Sequence, residues 1–87
     1  MKKFIPVGNP VSLAASDPDG ARAEAHDTHR WHVLGTAPKG SVIAGSPPAD
    51  KRVAWCVRGK RRAIVLRSSH GAGASYSVQE FTVEETS

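Results

Sequence analysis

His26, His29 and His32 stand three residues apart in the stretch SDPDGARAEAHDTHRWH, which runs from Ser16 to His32. Histidine is the commonest metal ligand, and a zinc site needs three or four ligands converging at about 2 Å from the ion. A spacing of three would put these rings on one broad flank of a helix, whereas on a strand His29 would face away from the other two. The familiar helical zinc spacing of four is absent. Cys56 and His70 could join only by a tertiary approach that the sequence does not reveal. The expectation is therefore no metal, with the three histidines as polar, partly exposed residues.

Other groups offer less. Ser69 and His70 adjoin, but adjacent loop residues rarely converge as nucleophile and base, and no acid is placed to orient His70. GTAPKGS, from Gly35 to Ser41, has two glycines at phosphate-loop separation but puts Ser41 where the lysine should stand. SVIAG reads as a strand where a helix is needed. It reads as an ordinary Pro-Gly turn. Cys56 reads as a packed thiol. No catalysis and no cofactor are expected.

The arginines are the most specific feature. In KRVAWCVRGKRRAIVLRS, residues 51–68, Gly59 suits the first central position of a type II′ turn, with Lys60 second. The expected register puts Arg58 opposite Arg61 and, further back, Arg52 opposite Arg67. Val53, Trp55 and Val57 then form a core face with Leu66 and Ile64, while Ala54, Cys56, Ala63 and Val65 take the other face. Arginine pairs bracket that second face at both ends. Like charges directly opposite one another destabilise a sheet. Anions relieve them, either Glu80, Glu84 and Glu85 of this chain or groups on a partner. Arg52, Arg58, Lys60, Arg61 and Arg67 are the candidate partner-binding residues.

The segment VAWCVRGKRRAIVLRSSHG resembles the closing hairpin of the small ribonuclease toxins of bacterial toxin–antitoxin pairs. The resemblance covers residues 53–71 and would imply RNA cleavage. In that family the hairpin ends the protein and follows two amphipathic helices. Here a further strand follows, and no such helices precede.

The elements that must position these groups are mostly strands. Turn signals recur at short intervals, at 8–10, 17–20, 38–40, 45–48, 59–60 and 70–73, with short apolar or alternating runs between them. This pattern predicts a mainly-β fold, a small single-domain barrel or sandwich of about five to seven short strands spanning 1–87. A strand is expected over 75–84. In it Tyr76 and Val78 alternate in one phase and Phe81 and Val83 in the other, so a bulge at Gln79-Glu80 would return both pairs to one face. A loop, 68–74, would precede it. Alternation over 11–25 favours a hairpin turning at Pro18-Asp19-Gly20, with Val11, Leu13 and Ala15 facing Ala25, Ala23 and Ala21. The competing reading is a helix entered through Ser16 or Asp17 and Pro18. A short helical turn near 26–34 is compatible with the hairpin.

Composition bounds the function class. The chain has 87 residues, one cysteine and a formal net charge of +4. An internal disulfide is excluded, and the charge favours anionic partners. Gly8-Asn9-Pro10 interrupts the apolar start, so residues 1–16 read as mature chain rather than a secretory signal. No stretch is long enough for a membrane-spanning helix. The expected function is a non-enzymatic small binding protein, of the phage accessory or inhibitor type, docking through the arginine-flanked face onto an acidic protein surface or a nucleic-acid backbone. Such a protein would work in the host cytoplasm or the virion, as an oligomer or a member of a larger assembly. The alternatives are a virion structural subunit without nucleic-acid contact and a small ribonuclease toxin.

Overall fold

The computed structural model describes residues 2–36 and 43–85. In chain order it contains β1 (Lys2–Pro6), β2 (Val11–Leu13), α1 (Pro18–Asp27), β3 (His32–Leu34), a 3-10 turn at Ala49–Lys51, β4 (Arg52–Arg58), β5 (Arg61–His70) and β6 (Gly73–Glu85). The six strands join one antiparallel sheet in the order β1-β6-β5-β4-β3, and the fold is mainly β as expected. β2 pairs with residues 76–78 of β6 and β1 with residues 81–85, so both share the edge of β6 that β5 leaves open. Ala44 closes on β1 from outside the strands. The Phe4 amide donates to Ala44 O at 2.8 Å, and the Ala44 amide to Lys2 O at 3.1 Å. Most of the Gly35–Ser41 turn lies outside the described residues, as do Ser41 and Val42 of the expected SVIAG strand; the described remainder, residues 43–45, makes an isolated bridge at Ala44 rather than a strand.

The β4–β5 hairpin forms where alternation places it. Gly59 has φ +64°, and no other residue of this turn is left-handed, as a type II′ turn requires. Pairing runs in the expected register from Arg58↔Arg61 to Ala54↔Val65, then slips at Val53, so that Arg52 opposes Leu66 rather than Arg67. A second tight hairpin replaces the expected loop at 68–74. β5 continues to His70, paired with Gly73, and Gly71 at φ +53° opens the turn.

β5 and β6 pair without a slip from Arg62↔Phe81 to His70↔Gly73. The expected bulge at Gln79-Glu80 is therefore absent. The two apolar phases of β6 go to opposite faces, and each face acquires its own core. Tyr76 and Val78 join Leu13, Trp31, Ala54, Cys56, Ala63 and Val65 beneath α1. Phe81 joins Phe4, Ile43, Trp55 and Ile64 on the other face, with Leu34, Leu66 and Val83 packed around them. There Phe4 stacks on Phe81 at 4.3 Å, and Trp55 meets Phe81 edge-on at 5.8 Å. Trp55 is the core residue that its strand phase predicts.

The expected N-terminal hairpin is also replaced, since residues 18–27 are helical. Asp17 takes extended backbone angles as N-cap, its Oδ1 accepts from the Gly20 amide at 2.6 Å, and Pro18 starts the helix. Ala21 and Ala25, four apart, are both fully buried, so two small side chains suffice to seat the helix close against Ala54, Cys56 and Ala63. Glu24 secures the approach from β2. Its carboxylate accepts from the Ala14 amide at 2.9 and 3.0 Å and from the Ala15 amide at 3.0 Å.

Two consequences are measurable by denaturant unfolding. Asp17→Ala should lower stability by about 1 kcal/mol while Asp17→Asn retains most of it, because the cap needs only an acceptor. Trp55→Ala should lower it by about 3–5 kcal/mol.

Candidate functional site

The five arginine and lysine candidates divide between the two ends of the β4–β5 hairpin. Arg58, Lys60 and Arg61 lie at the turn; Arg52 and Arg67 lie at the far end. The slip at Val53 breaks the expected common face. Arg52 now lies over the Trp55 ring, 5.7 Å from its centroid, on the side away from α1, whereas Arg67 is paired with Tyr76 on the helix side.

At the turn, Arg58 and Arg61 do oppose one another, and each finds separate relief. The Arg58 guanidinium sits over the Trp31 ring at 4.3 Å and donates Nη1 to His29 O at 2.7 Å. A ring face and a carbonyl thus hold this cation without neutralising it. Arg61 forms a two-pronged pair with Glu80, diagonal to it across β5 and β6. Nε donates to Oε2 at 2.8 Å and Nη2 to Oε1. That hydrogen bond, reinforced by the charges of Arg61 and Arg58, holds the Glu80 carboxyl below its ordinary range against a smaller opposing effect of burial. Glu84 and Glu85 stand opposite Lys3 and Lys2 on β1.

Behind these residues the chain makes two unusual moves. After α1, Arg30 adopts φ +63°, the only left-handed non-glycine among the described residues. This reverses the chain so that the Trp31 amide returns to Ala25 O at 3.0 Å and the indole is buried. Such a conformation is strained by about 1 kcal/mol or more in a residue with a Cβ. Between β1 and β2, the Val7 amide donates to Glu80 O at 2.8 Å, and the Gln79 amide group donates to the carbonyls of Val7 and Gly8, each at 3.2 Å. The kink holds Val7 and Val11 out toward solvent, 40% and 49% exposed.

The two moves enclose a cleft of about 370 Å³. Val7 and Val11 line one side; Arg30, Trp31, Arg58 and the Arg61–Glu80 pair line the other. The ion pair also borders a second cleft that includes Lys2, Lys60 and Arg62. Arg30, Gln79 and the two valines are not among the sequence candidates.

The histidines separate. His26, in the last turn of α1, has Nδ1 2.8 Å from Asp27 Oδ1. His29 contributes its carbonyl to Arg58, and His32 opens β3 opposite Val57. Among the described residues no three His, Cys, Asp or Glu side chains gather as a metal-ligand set. Burial pushes the Cys56 thiol up to about 11, which keeps it protonated at neutral pH. His70 Nε2 lies 2.8 Å from Ser75 Oγ across the second hairpin, not against Ser69. Among the described residues no helix is long and apolar enough to cross a membrane.

Comparison with known proteins finds no matching family model, no matching curated protein and no matching solved structure. The functional reading rests on the geometry of the cleft.

The depressed Glu80 carboxyl makes a signed prediction. The stability contributed by the pair is complete above the ordinary glutamate range and is lost as pH falls through the lower folded value. Melting temperature followed from neutral pH to about pH 3 should therefore fall less steeply in Glu80→Gln than in the parent. Parallel curves would assign Glu80 no part in acid unfolding.

Proposed function

We propose that this protein is a non-catalytic binding module that docks an acidic protein segment at the turn end of its β4–β5 hairpin. The observation that carries the reading is the composition of one cleft. Val7 and Val11 are the exposed large apolar side chains among the described residues, and both line the cleft that holds Arg30, Arg58 and Arg61. An apolar flank facing guanidinium groups complements a segment in which aliphatic and carboxylate side chains alternate. Arg58 is already fixed by Trp31 and His29, so little side-chain entropy is lost when a partner binds it. The net charge of +4 favours encounter with an acidic surface.

The same geometry disfavours nucleic acid as the partner. All five Phe, Tyr and Trp side chains, Phe4, Trp31, Trp55, Tyr76 and Phe81, are buried, which leaves no exposed ring of these types on which unpaired bases could stack. A phosphate backbone would also make no use of the two exposed valines.

A labelled peptide of alternating glutamate and valine, followed by fluorescence anisotropy, tests the reading. The peptide should bind, and binding should weaken as salt rises. Arg30→Gly relieves the left-handed strain, so it should keep the fold while weakening the peptide about tenfold; Val11→Ser should do the same. A DNA duplex that binds as tightly and with the same sensitivity to these variants would overturn the protein-partner reading. Absence of peptide binding would overturn it as well.

A further inference from the structure

The far end of the hairpin, outside the docking cleft, carries a second group of cations. The seven residues of β4 put it about 20 Å from the turn. Here the start of β4 is gripped from both sides. Arg22, from the first half of α1, donates Nη2 to Val53 O at 3.3 Å and Nη1 to Asp19 at 2.8 Å. Arg67, on β5, donates Nη2 to Asp50 O at 3.4 Å. Asp50 and Val53 bracket Arg52 in the chain, so two guanidiniums are anchored a few residues apart on one short segment. Arg22, Arg52 and Arg67, together with Asp50 and Tyr76, line a single pocket of about 380 Å³.

The charge balance of this pocket is uneven. Arg22 and Arg67 line it against one carboxylate residue, Asp50, whose backbone carbonyl is the group that Arg67 engages. Asp19, the partner of Arg22, is 97% exposed and does not line the pocket. Backbone carbonyls orient a guanidinium but leave its charge and most of its five N–H donors unspent. The Arg52 guanidinium lies over Trp55 on the opposite face of the sheet, so the guanidiniums of this pocket are those of Arg22 and Arg67.

We propose that this pocket binds a phosphoryl dianion, either free phosphate or a phosphate monoester, between Arg22 and Arg67. A single guanidinium fork satisfies a carboxylate. Two guanidiniums held on different elements, α1 and β5, suit a tetrahedral dianion, which presents oxygens in several directions.

Isothermal titration with inorganic phosphate, phosphoserine and acetate tests the site. Phosphate should bind saturably, and more tightly at pH 7.5 than at about pH 5.5, where the dianion is lost. Sulfate, dianionic throughout, should bind without that pH dependence. Acetate should bind far more weakly. Tighter binding of phosphoserine than of phosphate would identify a monoester as the source of the group; the reverse order would identify the free ion. Arg67→Gln should weaken phosphate about tenfold, and Arg22→Gln serves in its place if that variant unfolds. Lys3→Gln, which removes the same charge from β1, should leave affinity unchanged. Absence of saturation, or equal losses in Arg67→Gln and Lys3→Gln, would overturn the site and leave the docking cleft untouched.

Discussion

The unslipped ladder between β5 and β6 is the constraint from which the rest of the structure follows. Side chains of a paired strand alternate between faces, so a ladder without a slip must send Tyr76 and Val78 one way and Phe81 and Val83 the other. A sheet with apolar residues on both faces needs two covers. α1 supplies one. On the other face Phe4, Phe81, Trp55 and Ile64 pack on one another and on Ile43, and Ala44, next in the chain, is hydrogen-bonded to β1. A chain this short can fill two cores because the helix side is built largely from small residues. Ala21, Ala25, Ala54, Cys56 and Ala63 let helix and sheet approach closely with little volume to fill.

That register also decides the electrostatics of the candidate site. It sets Glu80 diagonal to Arg61, where a carboxylate can take both prongs of a guanidinium. The opposed Arg58 is left to Trp31 and His29. Both belong to the chain reversal that follows α1, so helix placement and cation placement are one structural problem. Without the left-handed Arg30 the indole would not return beneath the helix, and Arg58 would have no ring to lie on. The strain at Arg30 and the exposure of Val7 and Val11 are two local departures from a relaxed, well-covered fold. Both lie on the same cleft, where sites that trade stability for binding are expected.

The β4–β5 hairpin was legible in sequence because its alternation spans both arms and Gly59 marks the turn. The helix was not, for a physical reason. Only Ala21 and Ala25 face the sheet, and a two-alanine stripe within ten residues is weaker than the apparent alternation of residues 11–25. Asp17 and Pro18 were the surviving signal for a capped start. The bulge expected at Gln79 rested on the assumption of a single core, and the structure has two. Arg22 stayed hidden because a hairpin places it on an outer face, far from Arg67. The slip at Val53 left no trace in the alternation, so Arg52 and Arg67 read as partners. Arg30 and the exposed valines depend on tertiary turns with no local sequence signature.

Recognition at the turn end of the hairpin has a direct spectroscopic signature. Amide chemical-shift mapping of the isotope-labelled protein, titrated with the acidic-aliphatic peptide, reads it residue by residue. The largest shifts should fall on residues 7–11, 28–31, 58–61 and 78–80, with the far end around Arg22, Arg52 and Arg67 little changed. Shifts concentrated at that far end or along the open edge of β3, with the cleft unaffected, would contradict it.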